Sequence, residues 1–157
     1  RGRLVSPVPR VFPVGRLDIS TAGLIIVTND GELAYQLTHP AFGVDKEYVV
    51  EVEGTLSSQA LGRLRRGVQL DDGVTAPAHV HLLRPNAARI VVHEGRNRQV
   101  RRMCEAVGHP VRSLARTRIG PVADPRLEPG QARPLTTMEV RELWGASQTK
   151  PPVGAPR

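Results

Sequence analysis

The sequence predicts an α+β domain built on a largely antiparallel or mixed sheet flanked by helices. Segments with strand character, at 24–28, 46–53, 78–84, 88–93 and 111–119, outnumber those with helical periodicity. They mostly follow one another across turn residues, whereas a doubly wound sheet would alternate them with helices. A chain of 157 residues also suffices for one domain with its own core and is too short for two ordinary ones.

Residues 1–14, rich in Arg, Pro and Val, read as an extended lead-in that needs a partner strand. Leu24 to Thr28 is continuously apolar, as expected of a strand buried on both faces, and Asn29-Asp30-Gly31 ends it. Asp30 then caps a short helix carrying Leu33 and Leu37. From Lys46 to Glu53 the pattern alternates, placing Tyr48, Val50 and Val52 on the inner face. Ser57 or Ser58 caps a helix with Ala60, Leu61 and Leu64 inward, stopping at Gly67. Asp71-Asp72-Gly73 marks a turn, and the strands at 78–84 and 88–93 form a hairpin around Arg84-Pro85-Asn86. Asn97 to Val107 is the clearest helix, since Val100, Met103, Cys104 and Val107 recur at helical spacing before Gly108. A strand at 111–119 follows, and Thr136 or Thr137 caps a last helix carrying Val140 and Leu143. The expected domain is 1–144. Beyond Trp144 the composition turns to Gly, Ala, Ser, Pro and Lys, so 145–157 is expected to be a disordered tail.

Charge narrows the function. The 22 Lys and Arg outweigh 15 Asp and Glu, a balance of +7, and Lys46 and Lys150 are the only lysines. An arginine-weighted excess suits phosphate and base edges, although a GC-rich genome would produce the same bias. Cys104 is the single cysteine, which excludes an intrachain disulfide and a cysteine-based zinc cluster and places the chain in a reducing, cytoplasmic setting. No apolar run approaches the roughly 20 residues of a membrane helix. The histidines lack metal-ligand spacing apart from the His79/His81 pair on one strand, so no metal is expected. Phosphate loops and nucleophile elbows are absent from the sequence, and 3% aromatic content is too low for a base-stacking sheet.

Two clusters carry chemistry. Gly15-Arg16-Leu17-Asp18-Ile19-Ser20-Thr21-Ala22-Gly23 sets an acid among Arg, Thr and glycines just before the apolar strand. By spacing alone, an Asp in such a loop is more often a turn or cap residue. In Glu94-Gly95-Arg96-Asn97-Arg98-Gln99-Val100-Arg101-Arg102, the helical spacing predicts Arg98, Arg101 and Arg102 on one face opposite the apolar stripe. Like charges so placed cost a few tenths of a kcal/mol per pair. Phosphate binding with the helix N-terminus would account for that cost, and a solvated charged face is the bland alternative.

These clusters, with Lys46 and Tyr48, Gly67 to Leu70, Thr75-Ala76-Pro77-Ala78, Gly130 and Arg133-Pro134-Leu135, resemble the RsuA/RluB-type family of rRNA pseudouridine synthases from about Val11 to Leu143. The wording is nearest the RluB-like branch, which modifies 23S rRNA. The resemblance implies the catalytic fold of that family and the isomerisation of a specific uridine to pseudouridine without a cofactor. It makes Asp18 the catalytic aspartate, Tyr48 the active-site tyrosine and Arg101 the basic residue that pairs with the aspartate. It places Arg16, Thr21, Lys46, Arg96, Asn97, Arg98, Gln99 and Arg102 toward RNA. The expected partner is ribosomal RNA, 23S above 16S, for a cytoplasmic monomer. Family members begin with an S4 domain and a Lys-Pro-x-Gly segment; neither precedes Arg1, so an N-terminally truncated catalytic domain is expected. The competing reading is a non-catalytic RNA-binding or ribosome-assembly module, or an inactive fragment of the synthase. An acid set among RNA-facing arginines separates the two, because a binder has no use for it.

Overall fold

The computed structural model describes residues 9–148. Its short first strand, β1 (Phe12–Pro13), is followed by β2 (Ala22–Gly23), β3 (Val27–Thr28), α1 (Gly31–Thr38), a 3-10 turn (Pro40–Phe42) and β4 (Lys46–Val52). Then come α2 (Ser58–Arg66), β5 (Gln69–Leu70), β6 (Gly73–Val74), β7 (His79–Arg84), β8 (Ala87–Val92), α3 (Gln99–Ala106), β9 (Val111–Ile119) and α4 (Thr137–Gln148). The main sheet has the order β2-β9-β4-β8-β7. β4 runs antiparallel to both β8 and β9, β7 antiparallel to β8, and β2 parallel to β9, giving the mixed, mainly antiparallel sheet that the sequence predicts.

The predicted caps form. Asp30 accepts from Glu32 and Leu33 N–H, and Ser57 accepts from Ala60 N–H. Thr136 and Glu139 exchange bonds in a capping box, the Thr136 hydroxyl accepting from Glu139 N–H and the Glu139 carboxylate from Thr136 N–H. The alternation of β4 directs Val50 and Val52 into a core closed by Leu61 and Leu64 of α2, Ile90 of β8, Met103 and Cys104 of α3 and Leu114 of β9. Burial pushes the Cys104 thiol up to about 12, so it packs as a small apolar group. A second core joins Leu33 and Leu37 of α1 to Val14, Ile26, Val44, Ile119 and Leu143 of α4. On the outer face of the sheet Glu47 is bracketed by Arg89 and Arg118, and Arg84 pairs with Glu51.

Three expectations are corrected. Leu24 to Thr28 is not one strand buried on both faces: Ile26 is buried, but Ile25 and Val27 are exposed. Its two ends meet different partners, Leu24 continuing from β2 with a bond to β9 and Val27–Thr28 pairing with β1, so a continuous apolar run hides a change of sheet. The lead-in does find the strand it needs, in β3. The last helix runs four residues past Trp144, to Gln148, because the Ser147 hydroxyl, fully buried, donates to Trp144 carbonyl and contacts Gln36 on α1. The remainder of the expected disordered tail, 149–157, lies outside the described residues. The third correction concerns the arginines of α3, taken up with the site.

Arg133, in the sequence motif singled out above, fastens the loop ahead of α4. It donates to Asp124 and, at 2.8 Å each, to both carboxylate oxygens of Glu139. The Arg133 bonds, helped by Thr136 N–H, hold the Glu139 carboxyl down at about 2, and Arg133 also lowers Asp124. Both folded values lie below the unfolded ones, so the stabilisation is complete above the ordinary carboxylate range and is lost as pH falls through it toward 2. Arg133→Ala should therefore lower the melting temperature most at pH 6 and above, with the gap to wild type narrowing below about pH 4. A gap independent of pH in melting curves would contradict the role of these ion pairs.

Candidate active site

Each wall of the site follows from one local feature. The loop carrying Asp18 closes as a turn, Thr21 N–H donating to Asp18 carbonyl at 2.9 Å. It is tied to the sheet where β2 lies against β9, Gly23 opposite Arg116. The approach is possible only without a side chain: a Cβ at Gly23 would lie 2.1 Å from the Arg116 carbonyl oxygen, and its φ is +115°. Leu24 N–H and Arg116 carbonyl complete the tie at 2.9 Å, and Arg116 Nε returns a bond to Leu24 carbonyl at 2.9 Å.

The opposite wall is the segment 94–98. Glu94 accepts from Ala76 N–H, Arg96 and Gln99. Burial alone would raise the Glu94 carboxyl, but Arg96 and the Ala76 N–H outweigh it and hold it below its usual value. Arg96 also donates to the Asp72 and Val74 carbonyls, at 2.9 and 3.1 Å. Arg98 ends the segment with φ 50° and ψ 36°, the one non-glycine residue in the left-handed region among those described. Such a backbone costs on the order of 1–3 kcal/mol and persists only where the surroundings impose it.

Between these walls lies a cleft of about 550 Å³, floored by the sheet through Lys46 and Tyr48 of β4, Val92 of β8, and Leu114 and Arg116 of β9. Of the residues the sequence singles out, Arg16, Asp18, Thr21, Lys46, Tyr48, Arg96, Asn97, Arg98 and Gln99 all line it, drawn from three separate stretches of chain. Asp18 is partly exposed at 31%, and its ion pair is with Arg98, Nη1 to Oδ2 at 3.9 Å. Half-exposed pairs of this kind contribute little stability, so the contact bears on charge placement more than on folding. Lys46 Nζ donates to Leu37 carbonyl at 3.3 Å, which steadies its side chain.

Two arginines stand apart from the cleft. Arg101 does not share an exposed face with Arg98 and Arg102, and it does not pair directly with Asp18. It is 8% exposed, on the packed side of α3, and its Nη2 donates to Ser20 carbonyl at 2.7 Å and Thr21 hydroxyl at 3.2 Å. It thus clamps from behind the turn whose first residue is Asp18. The reason is geometric: α3 is buried on more than one stripe, taking in Gln99 and Arg101 besides Val100, Met103 and Cys104. Arg102 faces outward but is engaged bidentately by Asp72, at 3.0 and 3.1 Å, which lowers the Asp72 carboxyl. The like-charge cost expected along this helix is therefore removed by one arginine leaving the helix, one turning inward and one finding a distant acid.

Sequence reasoning missed Arg116. It was read only as part of a strand, yet it stands two residues after Leu114, on the face that the alternation assigns to the interior. The strand pairing sets it opposite Tyr48. Among the described residues no cluster of His, Cys, Asp and Glu is arranged to hold a metal ion. No described helix is long and apolar enough to cross a membrane.

The cleft brings a carboxylate, a tyrosine and exposed arginines together over the sheet, and comparison with known proteins gives the class. The profile of the RNA pseudouridylate synthase family matches residues 3–106. Ribosomal large subunit pseudouridine synthase B of Bacillus subtilis (strain 168) is 45% identical over 140 residues, covering 85% of this chain and 57% of its own length. Ribosomal small subunit pseudouridine synthase A of Yersinia pestis is 40% identical over 137 residues, covering 85% and 58%. A solved structure described as a crystal structure of pseudouridylate synthase matches with a TM-score of 0.82 at 34% identity, covering 85% of this chain and 59% of that one. The archaeal box H/ACA sRNP Nop10-Cbf5 complex, at 17% identity and a TM-score of 0.52, shares the fold. The chain belongs to the RNA pseudouridylate synthase family, with relatives of the RsuA/RluB type that modify ribosomal RNA by name. It spans slightly less than three fifths of the length of these relatives.

The Gly23 contact generates a test. Gly23→Ala should destabilise the chain by about 3 kcal/mol or more, since both the backbone angle and the Arg116 carbonyl oppose a methyl group. A denaturant midpoint equal to that of wild type would show that β2 is not held against β9 in solution.

Proposed function

We propose that the chain isomerises a uridine of ribosomal RNA, in the 23S molecule, to pseudouridine. The observation that carries this reading is the meeting of Asp18 and Tyr48 in one cleft with the exposed Arg16 and Arg98. A volume of about 550 Å³ falls within the range of small-ligand pockets and admits a single flipped nucleotide, not a duplex.

The reaction breaks the bond from uracil N1 to ribose C1′ and joins the same uracil through C5, with no net redox change and no hydrolysis, so it asks for no cofactor. Asp18 supplies the carboxylate that attacks C1′ or takes a proton from the sugar. Tyr48 offers its ring face to the base and its hydroxyl to the reacting edge. Arg98, 3.9 Å from Asp18, sets a positive charge beside that carboxylate, while Arg101 fixes the turn that carries it. Arg16, Lys46 and Arg98 meet the RNA backbone, Arg96, Asn97 and Gln99 shape the wall on which it rests, and Arg102 braces that wall from outside the cleft through Asp72. A protein that acts on ribosomal RNA in this way works in the cytoplasm, and a cleft built within one chain fits a monomer. A passive RNA binder would need the arginines alone.

Two measurements test this. With 23S and 16S transcripts carrying tritium at uracil C5, Asp18→Asn should cut tritium release by about 1,000-fold or more while RNA affinity stays within a few-fold of wild type. Normal release by the variant would remove Asp18 from the chemistry, and tight binding without release by wild type would make the chain a binding module. Arg98→Ala should weaken RNA binding and reduce the slope of log affinity against log salt by about 1. An unchanged slope would mean that Arg98 serves only Asp18.

A further inference from the structure

Arg116 is 7% exposed and lines the floor of the cleft. Its Nε is committed to Leu24 carbonyl, but Nη2 is buried and meets no hydrogen-bond partner among the described residues. A desolvated guanidinium donor left unpaired is costly and calls for an acceptor supplied from the cleft. The acceptor is placed by what surrounds it. Arg116 stands opposite Tyr48 in the strand register and lines the floor with it and Leu114, so an acceptor there sits beside an aromatic ring and an aliphatic side chain, surroundings that suit a base. Arg16 and Arg98, by contrast, are exposed, as residues that meet a solvated phosphate need to be.

We propose that Arg116 receives a carbonyl oxygen of the flipped uracil and stabilises the negative charge that the base carries while it is detached from the sugar. This rests on the isomerase reading of the cleft. When the C1′–N1 bond breaks, its electron pair stays with the uracil and spreads over N1, O2 and O4. C5 of the same ring then forms the new bond to C1′, the C5 proton leaves to a base, and N1 takes up a proton. A fixed guanidinium in a water-poor floor stabilises the charged interval more than the neutral uridine that precedes it, so its effect falls on the rate and not on RNA affinity. The two ties between Arg116 and Leu24 also hold the guanidinium in place before substrate arrives.

The test uses Arg116→Gln, whose amide can keep the bond to Leu24 carbonyl without the charge, and Arg116→Lys, which keeps the charge. Tritiated 23S and 16S transcripts serve as the RNA. In Arg116→Gln the single-turnover rate should fall by about 100-fold, with RNA affinity within threefold, an unchanged salt slope and a melting temperature near that of wild type. Arg116→Lys should recover at least tenfold of the loss. A rate within threefold of wild type, or a loss confined to affinity with a shallower salt slope, overturns the proposal; the latter would make Arg116 a phosphate contact. Equal losses in both variants with lowered melting temperatures would make it structural.

An arm that needs no variant uses transcripts in which 2-thiouridine or 4-thiouridine replaces uridine, read by chromatography of the digested nucleosides. One of the two should slow the wild-type protein about tenfold at unchanged affinity, and no effect from either overturns the proposal. Failure of the parent reading is seen separately, as absence of pseudouridine from the wild-type reaction with unmodified transcripts; activity in wild type and in Arg116→Gln alike removes only the role of Arg116.

Discussion

The close parallel contact of Ala22–Gly23 with β9 is the constraint on which the site depends. Asp18 lies on a loop with no regular structure of its own, and such a loop is placed only by what holds its ends. One end is fixed by Val14, whose N–H bonds Ile26 carbonyl at 2.7 Å. The other is fixed by Gly23, where the absence of a Cβ lets two backbones meet more closely than any other residue would allow. Arg101 then fills the space behind the turn and binds it through Ser20 and Thr21. The carboxylate is thereby held at the cleft by backbone anchors, with Arg98 as its ion-pair partner among the described residues.

The arginines divide into two populations that composition alone merges. Arg96, Arg101, Arg102 and Arg133 spend donors on carbonyls and carboxylates of the chain itself, the first three bridging segments far apart in sequence and Arg133 fastening its own loop. Arg16 and Arg98 remain exposed at the cleft. The forked guanidinium suits both tasks, since it can close a loop bidentately or meet a phosphate. An Arg-rich chain of this kind therefore holds its loops with the same residue type that gives it a basic surface, and the net charge overstates the charge left free of partners within the chain.

Much of the fold was legible because it rests on local signals. The caps at Asp30, Ser57 and Thr136 rest on side-chain oxygens within three residues of the N–H groups they bind, and the hairpin at Pro85-Asn86 and the β9 strand depend on short-range pattern. The run from Leu24 to Thr28 was misread because continuous hydrophobicity does not tell a strand within one sheet from a chain crossing between two. The helix runs past the expected boundary because the Gly, Ala, Ser, Pro and Lys composition beyond Trp144 hides a buried contact of Ser147 with α1 that carries the helix onward.

For the site, the sequence by itself determined which residue types are present and, through the order of its motifs, the family. Asp18, Tyr48 and the 94–102 segment were all found in this way. Only the tertiary structure decided which cation stands beside Asp18 and which lies behind it, because Arg98 and Arg101 differ by a left-handed backbone and by the burial of one helix face, neither of which a helical period reveals. Only the strand register set Arg116 across from Tyr48, since a residue's partner in a sheet is fixed by pairing between distant segments and not by its neighbours in the chain.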